Sequence, residues 1–241
     1  MKSVEEVCSY LKENANNDLK YKTIYTNFDK YVKEDKELID SFNSCDGFGE
    51  PGFAWSWKIL VDSLPDNFKF LEIGVYQGRV LSQVGMLAKK INKRCSIIGV
   101  TPLSVSGDKY SDYKDLNYSE IIHQNFKNLN NTIDNLKIIK GYSQEKHVKE
   151  SVAIEGKYNM IFIDGSHDYE DVVHDILTYS KLLIIGGYLV MDDASLYLND
   201  AYGVFLGHPD VGMACKQYLD NNPNFEELYA IGHNRVWKKI S

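Results

Sequence analysis

From residue 68 onward, short apolar runs alternate with stretches in which apolar residues recur every three or four positions. FKFLEI (68–73), SIIGV (96–100), LKIIK (136–140), YNMIFID (158–164) and GYLVMDD (187–193) have the length and composition of strands. Between them, Val80, Leu81, Val84, Leu87 and Ile91 keep helical spacing over 79–91, and further helices are expected near 119–129, after Ser143 and over 170–183. Strands that are apolar along their whole length and separated by helices predict a parallel sheet covered on both faces. The tail departs from this rhythm: a helix near 211–221 leads to FEELYAI (225–231), a turn, and NRVWKK (234–239). Two adjacent strands there predict an antiparallel hairpin at one sheet edge.

Residues 1–65 carry no strand pattern. Val4, Val7, Cys8 and Leu11 have helical spacing, as do Leu38, Ile39 and Phe42. GFGEPGFAWSW (47–57) reads as an ordered loop leading into a helix that ends near Leu64–Pro65, its aromatic residues serving either packing or a lid over a pocket. The division expected is a helical extension or lid over 1–65 and the main domain over 66–241.

Charge narrows the function. With 34 acidic against 27 basic residues the formal charge is −7, which disfavours nucleic acid and anionic membranes as partners, since both need a positive face. The cysteines Cys8, Cys45, Cys95 and Cys215 form no C-x-x-C pair, so neither a structural zinc site nor a disulfide framework is expected and a reducing compartment fits. The first residues lack an apolar signal-peptide core, and no apolar run approaches the roughly 20 residues a membrane span needs. The expected location is the cytoplasm.

In an open α/β sheet, ligands bind beyond the carboxyl ends of the strands, so the residues that follow each strand hold the candidate chemistry. After the first strand comes Glu72-Ile-Gly74-Val-Tyr-Gln-Gly78; glycine lets backbone approach a ligand closely, and the helix that follows offers free N–H groups. After the fourth comes Asp164-Gly-Ser-His167. The fifth, entered through a Gly186–Gly187 turn, ends in Asp192–Asp193. Adjacent carboxylates on a straight strand point to opposite faces, but where the chain turns both can face one cavity. With Asp164, three carboxylates would then converge and repel one another unless protonated or neutralised by a cation. Oxygen-only ligands favour Mg²⁺, Mn²⁺ or Ca²⁺ over zinc. His208 and His233, in GHPD and GHNR, are further candidate pocket residues.

The E-x-G-x-x-x-G turn resembles the nucleotide-binding turn of class I S-adenosylmethionine (SAM) methyltransferases. The run from Tyr158 to Ala194 resembles the metal-dependent O-methyltransferases, in particular the group of macrocin and mycinamicin sugar O-methyltransferases and cephalosporin-hydroxylase-type methyltransferases. The resemblance implies a Rossmann-like fold: a mostly parallel seven-stranded sheet with an antiparallel C-terminal hairpin and helices on both faces. It implies SAM as donor, with Glu72, Gly74, Gly78, Thr101, Tyr142, Ser143 and Asp164 around it, a divalent metal (Mg²⁺) on Asp164, Asp192 and Asp193, and His167 as general base. Family habit adds homo-oligomerisation. Two positions depart from the pattern: Thr101 stands where an acidic residue normally receives the ribose hydroxyls, and Tyr142 stands where an aspartate normally lies near the adenine amine. Each lost charge-assisted bond would cost roughly 1.5–3 kcal/mol, and Tyr142 could instead stack on adenine.

These expectations describe an in-line methyl transfer from a sulfonium to a small-molecule hydroxyl, a sugar or natural-product diol, whose proton His167 takes while the metal lowers its pKa. Two alternatives stand beside it. One is a methyltransferase-fold binding protein with an altered or lost cofactor. The other is a metal-dependent enzyme of another class on the same carboxylates, disfavoured because redox iron usually takes two His and one carboxylate and the strand ends supply one nearby His. Acceptor contacts are expected from residues 1–65 and from the loops 101–118 and 195–210.

Overall fold

A computed structural model of the protein describes residues 1–105, 110 and 114–241; residues 106–109 and 111–113 of the 101–118 loop expected to touch the acceptor therefore lie outside the described residues. Seven strands form one sheet: β1 (Asn67–Ile73), β2 (Arg94–Thr101), β3 (Leu136–Lys140), β4 (Tyr158–Ile163), β5 (Leu183–Met191), β6 (Phe225–Ile231) and β7 (Asn234–Lys239). Their order is β3-β2-β1-β4-β5-β7-β6. The first five are mutually parallel, while β7 runs antiparallel to both β5 and β6. The sheet thus has the expected parallel body and C-terminal hairpin, with β7 inserted beside β5.

Alternation along the strands sends side chains to two cores. Phe68, Phe70, Ile97, Met160, Phe162 and Val190 face one side, under α1 (Val4–Glu13), α2 (Lys20–Glu34), α3 (Lys36–Asn43), α4 (Gly52–Ser63), α5 (Arg79–Lys90) and α6 (Tyr118–Asn128). Leu71, Ile73, Ile98, Val100, Ile161, Ile163 and Leu189 face the other, under α7 (Lys146–Ile154), α8 (Tyr169–Tyr179) and α9 (Pro209–Tyr218). The N-terminal helices share the first core with the sheet. Within 47–57, Trp55 and Trp57 are buried, Trp57 packing edge-on against Phe162 at 4.9 Å.

One element goes unread in the sequence and one local expectation is corrected. The stretch 20–34 forms α2, whose Tyr21, Ile24, Phe28 and Val32 make a buried stripe; no side chain caps its start, so the usual boundary signal is missing. The Gly186–Gly187 pair does not turn into the strand but lies within β5, which starts at Leu183. Gly186 has φ +84°, and a Cβ on Gly187 would lie 2.8 Å from the Asn159 carbonyl, so the pair makes an irregularity in the β4–β5 register.

Candidate functional site

The carboxyl ends of β1 to β4 enclose a cavity of about 410 Å³. Gly74, Val75 and Tyr76 form its wall after β1, Thr101 and Pro102 after β2, Gly141–Gln144 after β3, and Asp164–Ser166 after β4, with Asp168 and Asp171 at the side. Glycine is obligatory at the first of these turns: Gly74 has φ +94°, and a Cβ there would fall 1.8 Å from the Asp164 carbonyl oxygen. That contact welds the β1 and β4 loops together and leaves the backbone bare towards the cavity.

Of the expected cofactor residues, Gly74, Thr101, Tyr142, Ser143 and Asp164 line this cavity. Glu72 and Gly78 do not. Glu72 lies on the same face of β1 as Phe70 and is buried, with Oε2 unpartnered; burial pushes its carboxyl up to about 8, opposed by the Leu81 N–H. Gly78, at φ +79°, starts α5 and packs against Ile122. The Thr101 hydroxyl accepts the Leu103 N–H at 3.3 Å. Tyr142 is half exposed. Below Ser143, the Tyr179 hydroxyl donates to its carbonyl at 2.7 Å, and the carboxyl of buried Asp175 bonds its side chain. Burial pushes Asp175 up to about 6 against the opposing pull of Ser143 and His174.

Asp164, Gly165 and Ser166 also border a second, smaller space with His167, Asp192 and Asp193. Asp193 has φ +53°, the turn that lets its carboxylate and that of Asp192 serve one centre. Three imidazoles meet them. His167 Nε2 lies 2.9 Å from Asp193 Oδ2, His208 Nε2 3.6 Å from the same oxygen, and His233 Nε2 3.3 Å from Asp192 Oδ1 and 3.9 Å from Asp193 Oδ1. Glycine places the two distant ones. Gly207 (φ +104°) pairs with Ala194 so closely that a Cβ would meet the Asp193 carbonyl at 2.0 Å, and the His208 N–H donates to that carbonyl at 3.0 Å. Gly232 (φ +54°) makes the β6–β7 turn, and the His233 carbonyl accepts from Ala194 N–H at 2.8 Å. Tyr110 stacks on His208 at 4.0 Å, and Phe205 meets His208 and His233 at 5.2 and 5.4 Å.

The groups that could hold a metal differ from the expected three aspartates. The donor groups whose atoms all lie within 4.8 Å of one another are His167–Asp193–His208 and Asp192–Asp193–His233. Asp164 belongs to neither, although its carboxyl bonds that of Asp192. The expectation of a single nearby histidine is corrected: loops remote in sequence bring His208 and His233 to the carboxylates. Burial, then the charges of Asp192 and Asp193, hold Asp164 well above the usual carboxylate range. Asp192 is also buried, but His233 outweighs that cost and holds it low. His233, despite burial, is raised to about 9 by Asp192 and Asp193.

This sheet order, with a glycine turn and a cavity beyond β1–β4, defines the class as the α/β methyltransferase fold. The comparisons agree. The chain belongs to the methyltransferase-domain family, whose model matches residues 71–194, just over half of its length. It is 31% identical over 133 residues to uncharacterized protein R132 of Acanthamoeba polyphaga mimivirus. That match covers 55% of this chain and 54% of R132, so the chain spans about half the length of the curated relative it matches. Among solved structures, it is similar to the Bacillus cereus O-methyltransferase in complex with SAH (S-adenosylhomocysteine), with TM-score 0.59, 13% identity, and 90% and 98% of the two chains covered. It is equally similar to the O-methyltransferase TomG of Streptomyces achromogenes, involved in tomaymycin synthesis and solved with SAM (TM-score 0.59, 13% identity, 93% and 99% covered). Among the described residues, no helix is long and apolar enough to cross a membrane.

Proposed function

We propose that the chain is a SAM-dependent O-methyltransferase that methylates a hydroxyl of a small molecule, a sugar or natural-product diol, with a divalent cation held beside the acceptor. The observation that carries this reading is the shared wall: Asp164, Gly165 and Ser166 line both the 410 Å³ cavity and the space that holds His167, Asp192 and Asp193. A donor in the first and an acceptor at the second would meet across one short loop, which supplies the proximity that in-line transfer needs. In this reading the nucleoside lies against Thr101, Tyr142 and Ser143, and the sulfonium end against Gly74 and Asp164.

The donor chemistry of the second space fits a divalent cation: two turn-held carboxylates face a cluster of imidazoles. Asp192 and Asp193 would hold it, with Asp164 alongside. Bound there, a cation lowers the pKa of the acceptor hydroxyl and orients its oxygen. The remaining work falls to the chain's own residues. His167 Nε2–H donates to Asp193 Oδ2, which leaves Nδ1 with the lone pair to take the hydroxyl proton. Asp193 then stabilises the imidazolium, much as a carboxylate does for any catalytic histidine. The acceptor oxygen bonds the methyl carbon as the sulfur–methyl bond breaks, and the donor leaves as a neutral thioether. Tyr110 and Phe205 offer apolar faces to the acceptor's ring.

One further reading has an observation behind it. His167, Asp193 and His208 have the two-histidine, one-carboxylate composition of non-haem iron oxygenases. Product analysis separates the two. Incubation with SAM and catechol- or vicinal-diol-bearing acceptors is expected to yield methyl ether and SAH in equal amounts, and excess EDTA is expected to stop it. Oxygen uptake without SAH release would favour the oxygenase. Full methyl transfer in excess EDTA would remove the cation from the account.

A further inference from the structure

We infer that His233 is a nitrogen ligand that completes Asp192 and Asp193, so that the site takes a borderline transition metal of the Mn²⁺, Fe²⁺, Co²⁺ or Zn²⁺ kind in preference to Mg²⁺. The inference rests on the methyltransferase reading above and deepens it by naming the cation's class.

Distances are the first support. Ligands about 2.1 Å from a common ion lie roughly 3.0–3.4 Å apart when adjacent and about 4.2 Å apart when opposite. His233 Nε2 lies 3.3 Å from Asp192 Oδ1 and 3.9 Å from Asp193 Oδ1, and all three donor atoms fall within 4.8 Å of one another. At 3.9 Å the second contact is too long for a hydrogen bond but lies in the range of ligands that share an ion. Asp193 divides its two oxygens between these duties: Oδ1 faces His233, and Oδ2 holds His167 at 2.9 Å. The base therefore need not give up its nitrogen to the metal.

The second support is independent of those distances. His233 is 6% exposed, and its Nδ1 has no hydrogen-bond partner. The ring is fixed by Phe53, edge-on at 4.6 Å, so its Nε2 is directed at the carboxylates. Next to it, Glu50 has a buried Oε2 that also lacks a partner, and Glu50 Oε1 comes within 3.4 Å of where a Cβ on Gly232 would stand. Two buried polar atoms near the site, His233 Nδ1 and Glu50 Oε2, are thus without partners, and the Glu50 charge acts on the His233 ring. With Nε2 bound to the ion, Nδ1 must carry the hydrogen, and a nearby carboxylate receives it. Mg²⁺ favours oxygen ligands and retains its waters, whereas an imidazole favours first-row transition metals.

The test uses the full-length chain labelled with ¹⁵N-histidine, followed by long-range ¹H–¹⁵N NMR during titration with Zn²⁺. One imidazole, absent from the spectrum of His233→Gln, is expected to show its Nε2 resonance move to a metal-bound position. Zn²⁺ affinity is expected to fall at least about tenfold in that variant, and millimolar Mg²⁺ is expected to leave the bound Zn²⁺ in place. If His233→Gln does not fold, the wild-type titration and the Mg²⁺ competition still decide. An unmoved His233 resonance while metal binds, displacement of Zn²⁺ by Mg²⁺, or no binding of Zn²⁺ would each overturn the inference. Methyl transfer supported by Mg²⁺ with His233 unmoved would overturn it while the methyltransferase reading stands; absence of SAH binding would fell that reading instead.

Discussion

The two ends of the cleft are built by opposite means. The end proposed for the donor is walled mainly by neutral groups, among them Gly74, Thr101, Tyr142 and Ser143, with Asp164, Asp168 and Asp171 at its β4 side. Neither position at which the resembling family keeps an acidic residue, Thr101 or Tyr142, carries one. The acceptor end is dense in charge, with Asp164, Asp192, Asp193, His167, His208 and His233 drawn together and largely buried. A wall of mostly neutral groups costs little to bury; a cluster of carboxylates is costly to bury and needs partners. The contrast predicts that substitutions at the acceptor end cost turnover, whereas at the donor end they alter fold and affinity.

The largest effect is expected at the acceptor end. His167→Ala should lower kcat by about 10²–10⁴-fold while SAH binds as it does to the wild type, since His167 is not among the residues lining the donor cavity. Loss of SAH binding would place the residue in the wrong half of the comparison.

Next comes Gly74→Ala. The added Cβ would lie 1.8 Å from the Asp164 carbonyl at a backbone φ of +94°, so unfolding free energy should drop by at least about 3 kcal/mol. SAH affinity should fall with it. Denaturant titration is the measurement, and a change within experimental error would mean the two loops are not welded there.

Asp175 tests the buried layer beneath the donor cavity. Its folded carboxyl sits at about 6 against an ordinary 3.8. Between these values the folded state holds a proton that the unfolded state has lost, so stability falls as pH rises through the window. The loss amounts to roughly 3 kcal/mol at about 1.4 kcal/mol per pH unit. Asp175→Asn should flatten that part of the stability profile relative to the wild type; parallel profiles would contradict it.

The smallest effect is a gain. Thr101→Asp restores a carboxylate to the donor end and should tighten SAH binding about tenfold, as read by calorimetry. An unchanged affinity would show that the nucleoside is recognised elsewhere, with Asp168 and Asp171 at the cavity's side as the next residues to test.

The same contrast explains how much of the molecule was legible in its sequence. The sheet was, because β1 to β5 are continuous apolar runs and the 225–231 and 234–239 runs flank one short turn. Asp164, His167, Asp192 and Asp193 stood out as candidates because each follows the end of a strand, where a parallel sheet must present its chemistry. His208 and His233 were only candidates. Their partners lie many residues away, and they arrive through a backbone pairing at Gly207 and the hairpin turn at Gly232. The signal available was local: each follows a glycine at positive φ. Glu72 is placed differently from what its motif suggested: it does not line the cavity. Its place in a nucleotide-binding turn suggested a ligand contact, but strand alternation points it into the core beside Phe70.

Binding of S-adenosylhomocysteine, followed by titration calorimetry before and after removal of divalent ions with EDTA, tests the central claim most directly. The account predicts saturable one-to-one binding that survives the chelator, because the donor cavity is formed apart from the Asp192–Asp193 cluster. No binding heat under either condition would contradict it.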